Sequence, residues 1–146
     1  MLCGFGVFTG VRARLAPCLT VLIVAAPVAA QAVMPLSPQL DSASRQALIQ
    51  SLAGAGINET GSSAVMVSLL SVLGTKPAAR RHRYREPYPQ LPDVDASAAS
   101  AGRDCAKVQL SARPKSGRPV AIQGVYCLTD PARYVWTARS LSATAR

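Results

Sequence analysis

The sequence predicts an α+β protein made of an N-terminal signal helix, a helical hairpin, and a small disulfide-bonded three-stranded antiparallel β-meander. Three observations carry that prediction. An apolar N-terminal stretch ends in small residues, two helix-patterned segments lie between Leu36 and Gly74, and beyond Asp104 the pattern switches to alternation between two cysteines. The expected organisation is a signal peptide over 1–32, the hairpin over 33–74, a basic linker rich in Pro, Ala and Arg over 75–103, and the β-meander over 104–146.

In the N-terminal stretch, Arg12 and Arg14 form a positive n-region, Leu15 to Val28 an apolar h-region, and Ala30-Gln31-Ala32 an A-x-A cleavage site. Leu15 to Met34 is also long enough to serve as an uncleaved anchor. LAPC at Leu15 to Cys18 is no lipobox, because proline precedes the cysteine and the apolar run follows it. Cleavage removes Cys3 and Cys18 and leaves Cys105 and Cys127, and an even pair in an exported chain implies one disulfide. It also lowers the formal charge from +9 to about +7, which favours anionic partners without specifying one. The expected address is periplasmic or outer-membrane-associated.

Ser37 with Pro38 reads as a helix start, followed by an apolar face of Leu40, Ala43, Ala47, Leu48 and Leu52 and a stop at Gly54-Ala55-Gly56. A second helix is expected from the Ser62-Ser63 cap signal to Gly74. It is apolar nearly all round, which suits burial against the sheet; a sticky surface for a partner or membrane, or a buried strand, are the alternatives.

In the linker, Pro77, Pro87, Pro89 and Pro92 break regular structure and ASAASAG is featureless. The run RRHRYREPYP sets Arg80, Arg81, Arg83 and Arg85 around Tyr84, a candidate anion-binding cluster in extended chain. The other reading is a solvated basic linker.

An antiparallel hairpin about Ser116 brings Cys105 opposite Cys127. It gathers Ala106, Val108, Leu110 and Ala112 with Val120, Ile122, Gly124 and Tyr126 on one face, and sets Lys107, Gln109 and Ser111 with Ala121, Gln123 and Val125 on the other. A one-residue slip scrambles both faces, so the cysteines and the hydrophobic pattern specify the same register. Arg113 to Pro119 supplies the turn, with Gly117 able to take positive φ. A third strand, Tyr134 to Leu141, pairs back with Trp136 near Tyr126 and Gly124 leaving room for the indole. Three strands alone are marginal, and the helical hairpin is the available cover.

The order Cys105, Val108, Leu110, Gly117, Gly124, Cys127 and Trp136 resembles the C-terminal domain of bacterial surface antigens of the rickettsial 17-kDa type. The resemblance covers Asp104 to Leu141 and departs from the pattern in its defective lipobox and in having no regular glycine zipper. It implies an envelope-associated protein and carries over no catalytic residue.

Enzymatic chemistry finds no support in the sequence. His82 lies among arginines in the linker, the acids fall in caps, turns and linker, and the two cysteines are too far apart for C-x-x-C redox work. Asp93 and Asp95 lack the ligand count of a calcium loop. No cofactor and no small-molecule substrate are inferred. Two functions are expected to compete: an exported, non-catalytic envelope protein that contacts an envelope component or protein partner, and a module that binds anionic polymer, lipid headgroups or nucleic acid through the basic linker.

Overall fold

The computed structural model describes residues 36–85, 88 and 90–146. The expected signal segment lies outside the described residues. Five long or medium strands, one two-residue strand and two helices follow in the order β1 (Gln39–Leu40), α1 (Ser42–Gly54), α2 (Glu59–Leu73), β2 (Arg80–Tyr84), β3 (Asp93–Ser100), β4 (Cys105–Arg113), β5 (Val120–Asp130) and β6 (Val135–Ala145). They build one six-stranded sheet, ordered β1-β6-β5-β4-β3-β2, antiparallel except where β1 joins β6 in parallel. The expected three-stranded meander is therefore the middle of a larger, mixed sheet.

Within it, the β4–β5 register matches the sequence expectation pair for pair, from Cys105 opposite Cys127 to Ala112 opposite Val120. The expected apolar face is buried: Ala106, Val108, Leu110, Ala112, Val120, Ile122 and Tyr126 all belong to the core. Gly117 takes φ 121° in the turn.

The linker expectation is corrected. Arg80–Tyr84 and Asp93–Ser100 are paired strands, with Arg80 opposite Ala98 and Tyr84 opposite Val94. β3 alternates Val94, Ala96 and Ala98 toward the core with Asp93, Asp95 and Ser97 away from it. Alanine gives little hydrophobic signal, but here its small size lets α2 pack against the strand, so a period of two is hidden in residues that read as filler. Pro77 and Pro92 sit just outside the strands, where a missing N–H removes no ladder bond.

The helix starts also shift. Pro38 leads into β1, whose backbone ties to β6: Gln39 N–H donates to Tyr134 O and Asp41 N–H to Trp136 O, both at 3.1 Å. α1 then begins at Ser42, capped by Asp41, whose carboxylate accepts from Ser44 N–H at 2.6 Å. Leu48 and Leu52 are buried and Ala43 and Ala47 are exposed, so the apolar face is narrower than expected.

The second helix starts four residues before the serines, at Asn58, which accepts from Gly61 N–H at 2.8 Å, with Glu59 placed favourably in the first turn. Ser62 and Ser63 instead bond back to the carbonyls of Asn58 and Glu59 inside the helix.

Helix α2 lies on β2, β3 and β4, and α1 on β6. Ala64, Val65, Leu69, Val72 and Leu73 enter the core, which bears out the covering-helix reading. Gly74 ends α2 at φ 59°, and a Cβ there would collide with the Arg80 guanidinium.

The expectation that Gly124 leaves room for the indole is corrected. Trp136 lies opposite Leu128, and Tyr126 opposite Ala138. The space above Gly124 is filled by the ring of Tyr126, 2.9 Å from an added Cβ. The indole turns instead to α2 and donates from Nε1 to Gly74 O at 2.8 Å.

Candidate functional site

Both helices pack on one face of the sheet, and no helix or strand among the described residues covers the opposite, open face. The Cys105–Cys127 disulfide is formed and sits on that open face, joining the two central strands β4 and β5.

The arginine cluster is divided by strand alternation. Arg80, His82 and Tyr84 are half-buried toward α2, whereas Arg81 and Arg83 are exposed on the open face and Arg85 follows the strand. Arg80 lies over Gly74, and Tyr84 packs on the core. Arg83 Nε and Arg85 Nη2 each approach Asp95 at 3.0 Å, and Arg113 Nη2 adds a third contact at 3.2 Å. Lys115 Nζ meets Asp93 at 3.1 Å.

Partial desolvation works against ionisation of Asp95, but hydrogen bonds and charge from Arg85 and Arg83 outweigh it and hold its carboxyl below the usual range. Asp93 and Asp95 thus serve the chain's own cations. These pairs are solvent-exposed and add little stability individually. Their consequence is electrostatic: Arg83, Arg85, Arg113 and Lys115 together outnumber Asp93 and Asp95, so both acids are countered and the cluster keeps a positive surplus.

A second site emerges from the register. Arg81 pairs with Ser97, Ser97 with Gln109, Gln109 with Gln123, and Gln123 with Ser142. Five strands therefore contribute one polar side chain each to a continuous row across the open face. Lys107 stands beside it, two residues from Gln109 on the same strand face. Two shallow depressions flank Lys107, one of about 550 Å³ at Arg81, Ser97 and Gln109, the other of about 210 Å³ at Gln123, Ser140 and Ser142. Arg81 and Lys107 make no ion pair among the described residues. The sequence signal for two of the five positions, Gln109 and Gln123, is their polar parity with Lys107. Arg81 and Ser97 are missed because their strands read as linker, and Ser142 because the third strand, expected to end at Leu141, continues to Ala145.

On the helical side, α1 and α2 border a groove of about 560 Å³ lined by Ile49, Ala53, Ile57, Met66 and Val67 among others. Two polar atoms in the core have no hydrogen-bond partner among the described residues, His82 Nε2 and the Tyr126 hydroxyl. Burial pushes the Tyr126 phenol up to about 12. No group of three or more His, Cys, Asp or Glu among the described residues is placed to hold a metal ion.

No protein-family model, curated protein or solved structure matches the chain.

Proposed function

We propose that this chain is an exported interaction protein of the cell envelope, which binds a partner rather than transforming a substrate. The observation that carries the reading is the disulfide across the two central strands, on the face that no described element covers. Such a bond persists in an oxidising compartment and is rare in a reducing cytosol. The N-terminal n-region, h-region and A-x-A pattern supports the same address. So does the likeness of the Cys105 to Trp136 pattern to surface-antigen domains, which are envelope proteins.

Binding rather than catalysis is favoured by how the polar groups are spent. Asp41 and Asn58 cap helices, Asp93 and Asp95 pair with basic side chains, and His82 is pressed toward α2. None of these converges on a shared cleft with a nucleophile or a base. The partner is an envelope component or a protein, with anionic polymer and lipid headgroups as the chemical classes that the basic charge favours. Of the residues in the basic cluster, Arg81 is the one both exposed on the open face and clear of a carboxylate, which extends the polyanion-binding reading from the cluster across the sheet.

Fractionation of the expressing cell, N-terminal sequencing and intact mass after thiol alkylation test the proposal together. The expected product is periplasmic or outer-membrane-associated, begins at Val33, and takes up no alkylating agent at Cys105 or Cys127. A cytosolic product with both thiols alkylated overturns it.

A further inference from the structure

From the cross-strand row on the open face we infer a binding site for an extended acidic polysaccharide, lying across β2 to β6 along Arg81, Ser97, Gln109, Gln123 and Ser142, with Lys107 as its second cation. The inference rests on the envelope reading above and names the ligand class. Neighbouring strands are about 4.8 Å apart, so the row offers polar groups at that interval over roughly 19 Å. That interval is close to the rise of one sugar unit in an extended glycan, so each strand can address one unit.

The chemistry of the row fits the same ligand. Glutamine amides both donate and accept, as do serine hydroxyls, and such groups satisfy sugar hydroxyls in either role. Arg81 and Lys107 stand on β2 and β4, separated by β3, which spaces the two positive charges for acidic groups on alternate units rather than on every one. The acids on this face, Asp93 and Asp95, lie toward one end of the strands and are held by Arg85, Arg83, Arg113 and Lys115, so they do not repel an anion at the row. Other polyanions fit less well. The row has no aromatic side chain on which bases stack, and no large apolar side chain projects from it to enter a bilayer except Val125 beside Lys107.

Calorimetric titration of the disulfide-intact mature protein with a hyaluronan hexamer, whose carboxylates fall on alternate sugar units, tests the site, with neutral cellohexaose, phosphatidylglycerol vesicles and dT12 as comparison ligands. The doubly substituted R81Q/K107Q variant is expected to bind the hexamer at least about tenfold more weakly, the loss of one to two charge-assisted hydrogen bonds. Q109A/Q123A, which leaves the charge unchanged, is expected to weaken binding several-fold. R45Q/R118Q, which removes the same charge elsewhere, is expected to change it less than about twofold at 150 mM salt.

Equal weakening by R45Q/R118Q reduces the interaction to net charge and overturns the inference, as does unaltered binding by Q109A/Q123A. Tighter binding of vesicles or dT12 than of the hexamer, abolished by R81Q/K107Q, assigns the face to lipid or nucleic acid instead. All the substituted side chains are exposed, and matching thermal melts verify that each variant is folded. An exported protein that ignores the hexamer sinks this site alone, whereas a cytosolic, reduced protein sinks the envelope reading.

Discussion

Tyr126 fills the space left by Gly124, yet its buried hydroxyl has no hydrogen-bond partner among the described residues. Burying an unpaired hydroxyl costs free energy that a phenylalanine ring does not incur. Tyr126→Phe is therefore expected to raise stability by about 1 kcal/mol, read as a higher denaturant midpoint with an unchanged slope. A lower midpoint would mean that the hydroxyl does meet a partner in solution. Asp41 shows the opposite economy. Its carboxylate accepts from Thr137 Oγ1 and from Ser44 N–H, which together hold its pKa below the ordinary 3.8. A carboxyl depressed in the folded state contributes stability that is present above its unfolded value and lost as the pH falls through its folded value. Asn at position 41 keeps a cap acceptor but cannot titrate. The expected outcome for Asp41→Asn is a shallower loss of stability than the parent between about pH 5 and about pH 2, seen in urea midpoints across that range.

At the scale of elements, β4 and β5 were readable because every inward position is apolar, every cross-strand partner is near in sequence, and two cysteines close the ladder. β3 was not, because Ala96, Ala98 and Ser97 differ too little in hydrophobicity to reveal which face they take. β1 was beyond reach for another reason. Two residues form a strand there only because Val135 and Trp136 offer an edge, a partnership nearly a hundred residues away that no local pattern records. The starts of both helices were misjudged in the same way, since Pro38 and the serines are permissive signals and the caps that operate, Asp41 and Asn58, were available nearby. The candidate row was legible only at Gln109 and Gln123, for the same reason as the strands that carry them. If the small alanines of β3 exist to admit α2, enlarging one must force the helix outward. Ala98→Leu is expected to cost about 1 to 3 kcal/mol, whereas Ser97→Thr, one residue along and on the open face, stays within about 0.5 kcal/mol. Similar losses from both substitutions would contradict the alternation.

At the scale of the whole molecule, one sheet carries both the core and the open face, and the disulfide fastens it at the middle. Order β1-β6-β5-β4-β3-β2 puts β5 and β4 third and fourth of six, so the cross-link holds the strands through which every other strand is connected. Its closed loop spans a sequence separation of 22, for which chain entropy predicts about 3 kcal/mol of stabilisation, acting on the unfolded chain rather than on any one contact. A constraint of that kind has a recognisable signature in native-state amide exchange. Amides of Val108, Leu110 and Ile122, buried in the central strands, should exchange through global unfolding, while those of β2, at an edge, should exchange through local opening. Cys105→Ser/Cys127→Ser is then expected to speed the central amides together by roughly a hundredfold, the equivalent of about 3 kcal/mol, and to leave β2 amides nearly unchanged. Acceleration confined to residues next to the cysteines would instead show that the bond braces one end of a hairpin, and that the sheet holds its stability elsewhere.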